Sequence, residues 1–295
     1  MDSGMDNTTS GSARINWFPG HMAKTRRQMM DSIRSADLVI ELCDARLPWS
    51  SRNPEISAMI GEKRHLLFLN KSDLASREGN AAWLAAFKQR YIDAYLTNAQ
   101  KIRGQETIQT IQRATQEIVE RARKRGIRKT VRVMVAGVPN VGKSTLINRL
   151  RGSGIAQTGD RPGVTRSQQW VKIGPYLELL DTPGLLWPRL EDQEAAKRLC
   201  YIGTVSDEVV DLHALTISLL EELEDLVPDL LKERLHLDRT DLKGMELLEA
   251  VCRGRGWLMK GNQFDYERCY RVVMDEFRGG KLGKLTFEMP EQFFT

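Results

Sequence analysis

Gly137-Val138-Pro139-Asn140-Val141-Gly142-Lys143-Ser144 decides the fold. The stretch has the spacing GxxxxGK[ST], follows the apolar run 131–136 and opens a segment of helical character at 143–150, the strand, loop and helix order of a phosphate-binding loop. Its glycines let backbone N–H groups turn toward phosphate oxygens, and the helix behind it adds a positive N-terminal end. In that geometry Lys143 reaches the β- and γ-phosphates and the Ser144 hydroxyl binds Mg²⁺. Val141, Gly142 and Thr145 belong to the same nucleotide contact.

Two motifs extend the site. Asp181-Thr182-Pro183-Gly184 follows the apolar run 176–180, so Asp181 is delivered at a strand end where it holds the metal directly or through water, and the Gly184 backbone meets the γ-phosphate. Taken alone, the four residues also read as an ordinary turn. Between phosphate helix and DTPG lies Gly159-Asp160-Arg161-Pro162-Gly163-Val164-Thr165, a loop from which Thr165 would close over the nucleotide and complete the Mg²⁺ shell.

Asn70-Lys71-Ser72-Asp73 follows another buried run, 65–69, at the end of a parallel strand facing the ligand crevice. Asp73 can accept two hydrogen bonds from guanine N1 and its exocyclic amine; adenine lacks that amine, and a site built on such bonds discriminates by about 10⁴-fold. Lys71 would cover the base with its stem and Asn70 would tie the loop to the phosphate strand. Thr97-Asn98-Ala99, after the run 92–96, offers a second base contact through Asn98 and the Ala99 N–H, directed at guanine O6. The ligands expected are therefore GTP or GDP with Mg²⁺. The base quartet precedes the phosphate loop, which is the motif order of a circularly permuted GTPase.

From 37 to 180, short apolar runs alternate with longer helical stretches, the signature of a sheet covered by helices. Strands are expected at 38–43, 65–69, 92–96, 131–136, 168–173 and 176–180, and helices at 55–60, 80–90, 106–124 and 143–150. The Gly174-Pro175 turn makes the last two strands an antiparallel pair, so the fold class is α/β with a mixed, mostly parallel sheet. After Pro188 helical periodicity replaces strand signal. The division that follows is a disordered tail at 1–14, a GTPase domain at 15–188 and a smaller helical, RNA-binding domain at 189–295.

The chain has 295 residues, a net charge of +5 and 41% hydrophobic residues, enough to bury a sizeable core. Its basic balance favours an acidic partner without separating nucleic acid from membrane surface. Cys43, Cys200, Cys252 and Cys269 form neither a CxxC pair nor a dense framework, so buried thiols in a cytoplasmic chain are expected. No apolar run approaches the roughly 20 residues of a membrane span.

These motifs, with Trp17-Phe18-Pro19-Gly20-His21-Met22 near the start, resemble the ribosome biogenesis GTPase A (YlqF) family of circularly permuted GTPases and its mitochondrial relatives, over nearly everything from Ile15 onward. Asn98 departs from the small Ser-Ala pair usual in that base loop. Gly184 is followed by Leu185-Leu186 rather than the water-orienting Gln of small GTPases, so another group, or a partner, must complete the site. The resemblance offers His21, an imidazole able to orient or deprotonate water, although a capping or core-packed role reads equally well. It also marks Asn140 as the position of a K⁺ ligand in related enzymes; a loop-stabilising Asn is the alternative.

The acid-free run from Arg121 to Arg132, with Lys24, Arg26 and Arg27, matches either a phosphate-backbone footprint or a solvated helix end. The resemblance points to ribosomal RNA, not DNA, and to a monomeric assembly factor that binds large-subunit precursors in the GTP state and leaves after hydrolysis. A GTP-dependent switch for a protein or membrane partner is the alternative function.

Overall fold

The computed structural model describes residues 22–102, 104–152, 169–182 and 192–294. Six strands form one sheet in the order β3-β2-β1-β4-β6-β5: β1 is Leu38–Asp44, β2 Arg64–Asn70, β3 Ala94–Leu96, β4 Val131–Ala136, β5 Gln169–Gly174 and β6 Leu177–Asp181. Every neighbouring pair is parallel except β5 with β6. The strands match those expected from the sequence to within two residues, and the antiparallel pair turns at Gly174-Pro175 as anticipated.

β1, Leu-Val-Ile-Glu-Leu-Cys-Asp, is buried along its whole length because both sheet faces are covered. On one face Leu38, Ile40 and Leu42 join Phe68, Val133 and Val135 under α4 (Gly104–Lys124) and α5 (Lys143–Arg151). On the other, Val39 and Met134 meet Met29 and Ile33 of α1 (Met22–Ser35) and Ile56 of α2 (Pro54–Ile60). Further along that face Cys43, Leu67 and Leu69 pack on Trp83 and Phe87 of α3 (Arg77–Gln89). The Asn53 side chain caps α2 by accepting from the Glu55 N–H, with Pro54 at the first helical position, and Ser76 caps α3 by accepting from the Gly79 N–H.

Beyond the sheet come α6 (Gln193–Tyr201), α7 (Leu212–Leu226), α8 (Pro228–Leu235), α9 (Gly244–Gly254) and α10 (Tyr266–Arg278). Leu219, Leu223, Leu248, Val251, Val273 and Phe277 join the same apolar cluster as Leu38 and Val133, so helices and sheet share one interior. The chain then turns back along the sheet half as an irregular strap. The Phe287 N–H donates to the Arg46 carbonyl at 3.0 Å, and the Trp83 indole donates to the Glu288 carbonyl at 2.7 Å. The buried Glu288 carboxylate accepts from the Trp49 N–H at 2.9 Å and the Ser50 N–H at 3.0 Å. After a short 3₁₀ turn at Pro290–Gln292, Phe293 and Phe294 pack on Trp49 and Trp83 with ring centroids 5.0–5.8 Å apart.

The interior also holds charge. Asp44, at the carboxyl end of β1, is completely buried, and Arg46 is 1% exposed. Arg46 Nε donates to Asp44 Oδ1 at 2.9 Å and Nη2 to Oδ2 at 2.8 Å; Nη1 donates to the Phe277 carbonyl at 3.1 Å, with the guanidinium over the Phe277 ring. Lys71 Nζ approaches Asp44 Oδ2 at 3.1 Å. Burial alone would raise the Asp44 carboxyl, but Arg46 and Lys71 outweigh it and hold it well below the usual carboxylate range.

Arg46→Met should therefore destabilise the fold by about 3–5 kcal/mol, because it takes the bidentate partner from a buried carboxylate and leaves it Lys71 alone. Adding Asp44→Asn should recover part of that loss, both changes being read from chemical denaturation midpoints at neutral pH. An Arg46→Met variant as stable as the parent would refute the pairing.

Candidate functional site

The strand order reverses between β1 and β4: from β1 the chain moves outward to β2 and β3 on one side, and from β4 it crosses to the edge strand β5 on the other side and returns to β6. Open α/β sheets bind ligands outside the carboxyl ends of the strands at such a point. The loops after β2, β3, β4 and β6 carry Asn70-Lys71-Ser72-Asp73, Thr97-Asn98-Ala99, Gly137 to Ser144, and Asp181-Thr182, so all four motifs arrive at that edge.

Asn70 joins them. Only 2% exposed, it donates from Nδ2 to the Val141 carbonyl at 2.7 Å and accepts at Oδ1 from the Ala99 N–H at 2.8 Å and the Thr97 hydroxyl at 3.4 Å. Gly142 passes so close that a Cβ would lie 2.5 Å from Asn70 Nδ2, and its φ of +103° is disfavoured for any side chain, so the second glycine of the loop is required on both counts. Through the Ala99 N–H and the Val141 carbonyl, Asn70 ties the Thr97-Asn98-Ala99 loop to the phosphate loop.

Lys143 folds over its own loop, donating to the Gly137 carbonyl at 3.1 Å and the Val138 carbonyl at 2.9 Å. The Ser144 hydroxyl donates to Asp181 Oδ2 at 3.1 Å, so two hard oxygen donors converge in a manner that fits a shared Mg²⁺ shell. The Thr182 hydroxyl donates to the Val135 carbonyl at 2.7 Å and fixes the start of the DTPG segment on β4, a role the sequence did not single out. Asn140 sits at φ +61°, and its Nδ2 donates to the carbonyl of Gly203, between α6 and α7. That leaves Oδ1 as the cation donor the position could offer.

In the base quartet, Lys71 has φ +57° and sends its Nζ to Asp44, which lays its stem along the loop. Asp73 is partly exposed, with Lys101 Nζ 3.7 Å from Oδ2. Asn98 accepts at Oδ1 from the N–H groups of Gln100 and Lys101, at 3.0 and 3.2 Å, and so caps its turn. His21, Thr165 and Gly184 lie outside the described residues.

Among the basic residues, Arg121 pairs with Glu117, Lys129 with Asp37 and Arg132 with Glu178. Trp257 is buried, Phe264, Tyr266 and Tyr270 pack against the core, and Arg253 and Arg255 lie over Phe264 and Trp257, so these aromatics are structural. All four cysteines are buried free thiols. No helix among the described residues is long and apolar enough to cross a membrane.

Sheet order and site together define a P-loop GTPase with circularly permuted motifs. A ribosome biogenesis GTPase A from Bacillus cereus is 46% identical over 281 residues, covering 95% of each chain, and one from Priestia megaterium is 42% identical. The chain belongs to the ribosome biogenesis GTPase A family. Residues 132–241 also match the family described as 50S ribosome-binding GTPase. A solved GDP-bound YlqF, 25% identical, superposes with a TM-score of 0.67 over 90% of this chain and 100% of that one; the GNP-bound YlqF from Thermotoga maritima gives 0.62.

Burial lowers the Lys143 ammonium to about 8, against the Asp181 carboxylate, which raises it. Nucleotide phosphates favour the charged form, so binding at about pH 8.5 should take up a large fraction of a proton and at about pH 7 almost none, with affinity falling as pH rises through this range. Calorimetric GDP titrations in buffers of different ionisation enthalpy would check this. Equal uptake at both pH values would contradict it.

Proposed function

We propose that this GTPase assembles the large ribosomal subunit in the cytoplasm, binding precursor particles as a monomer in the GTP state and leaving after hydrolysis. The near full-length identity to relatives named ribosome biogenesis GTPase A carries this reading. It is supported by Arg123, Arg125 and Arg128, which form no ion pair among the described residues and suit ribosomal RNA phosphates. Asp73 reads guanine and Lys143 holds the β- and γ-phosphates. Ser144, Asp181 and Thr165 would hold Mg²⁺, which when bound offsets charge on the phosphoryl oxygens. Gly184 meets the γ-phosphate through its backbone. His21 orients water in place of the missing Gln, and Asn140 Oδ1 takes K⁺.

With a non-hydrolysable GTP analogue the protein should co-sediment with large-subunit precursors, and with GDP it should not. Migration away from those particles in both states would refute the assembly role and favour a switch acting on another partner.

His21→Ala should keep GTP affinity within about twofold while slowing particle-stimulated hydrolysis by about 10²-fold or more. Replacing K⁺ by Na⁺ should slow the parent enzyme and leave Asn140→Ala unaffected. Single-turnover assays measure both effects, and normal turnover of His21→Ala would remove that residue from catalysis.

A further inference from the structure

Asp73 can discriminate between bases only if its carboxylate is held in place, since a site displaced by even about 1 Å loses its selectivity. Its side chain does not hold itself: it is 38% exposed, and Lys101 Nζ lies 3.7 Å from its carboxylate. The backbone on either side must therefore do so.

On the N-terminal side, the Ser72 N–H and hydroxyl both donate to the Thr97 carbonyl, at 3.1 and 2.9 Å, and the Ser72 carbonyl accepts from Asn80 Nδ2 at 2.9 Å. On the C-terminal side, the Leu74 carbonyl accepts from the N–H of Leu285, far along the chain, at 2.9 Å. Two residues on, the Thr286 hydroxyl accepts from both the N–H and the hydroxyl of Ser76, each at 3.2 Å. Ser76 in turn caps α3, the helix that carries Asn80.

The fit is close. A Cβ on Gly79 would lie 2.4 Å from Thr286 Oγ1, and one on Gly280, which has φ +73°, would lie 2.5 Å from Leu74 Cδ2. The far end of the strap is anchored by the buried Glu288 and by Phe293 and Phe294. Both flanks of Asp73 are thus gripped by the strap, one directly at Leu74 and the other through Ser76, α3 and Asn80.

We propose that the C-terminal strap, through Leu285 and Thr286, positions the base-reading loop and thereby sets the selectivity of the site for guanine. Leu285 and Thr286 are positioning residues that act through Asp73, and the proposal rests on the base-reading role assigned to that residue. No part of the strap needs to touch the nucleotide. Releasing its hold lets Asp73 drift from the exocyclic amine while the phosphate loop, fixed by Asn70 and β4, stays in place.

Inosine nucleotides keep every group of the guanine nucleotides except that amine, so the ratio of GTP to ITP affinity reads the Asp73 contact separately from stability and phosphate binding. In the full chain, Thr286→Val should weaken GTP about 3- to 10-fold, the scale of one lost hydrogen bond, and ITP much less. Thr286→Ser, which restores the hydroxyl, should return the parent ratio. Asp73→Asn supplies the reference for complete loss.

If Asp73→Asn abolishes the preference while Thr286→Val lowers only the melting temperature and keeps the parent ratio, the strap proposal fails and base reading survives. If Asp73→Asn itself leaves the ratio unchanged, base reading fails and the proposal falls with it. Should Thr286→Val not fold, Phe294→Ala loosens the strap's anchor without touching the loop. It should lower the ratio in the same direction, and an unchanged ratio there overturns the proposal.

Discussion

A carboxylate removed from water at the end of the central strand costs several kcal/mol unless cations accompany it. Asp44 obtains two, from different parts of the molecule. Lys71 comes from the Asn70–Asp73 loop, where it has a positive φ and its ammonium reaches the strand end. Arg46 comes from two residues along the chain, and its third donor and its flat face go to Phe277 near the end of α10. One buried charge therefore fixes the base loop, the segment leaving β1 and the last helix relative to one another. The Asn70–Asp73 loop and the packing of α10 are coupled through that charge before any ligand is considered.

That coupling recurs at the phosphate end. Asn140 of the phosphate loop reaches the Gly203 carbonyl, and the turn containing it is held by Arg278, which donates to the Tyr201 and Cys200 carbonyls and forms an ion pair with Asp207. The helical half thus grips the nucleotide edge at two places: the phosphate loop through the α6 to α7 turn, and the base loop through the strap. The permuted order makes this possible, because the chain leaves the sheet after β6 and is free to return across the site it has just completed. Structural coupling of this kind gives a route by which docking on a particle and the nucleotide state can influence each other.

Much of this was legible in the sequence. The phosphate loop, the base quartet and the strand that feeds each could be placed because their glycines, apolar runs and turn residues are local signals. The six strands fell where expected, and so did the antiparallel pair at Gly174-Pro175. α1 was missed because, among its described side chains, the buried apolar ones are Met29 and Ile33 in a helix dominated by polar residues. The strap was missed for a different reason. Leu285, Thr286 and Glu288 are ordinary residues, and their partners Leu74, Ser76, Trp49 and Ser50 are more than two hundred positions away. The capture of the Ala99 N–H by Asn70 was likewise invisible, since it depends on how two loops meet rather than on either alone.

The strap also gives the Asn70–Asp73 loop a restraint of long range. Thr286 meets Ser76 across 210 positions of chain, so this contact closes a far longer loop than any pair of strands in the sheet. Local opening of the strap would therefore release that loop while the sheet stays formed.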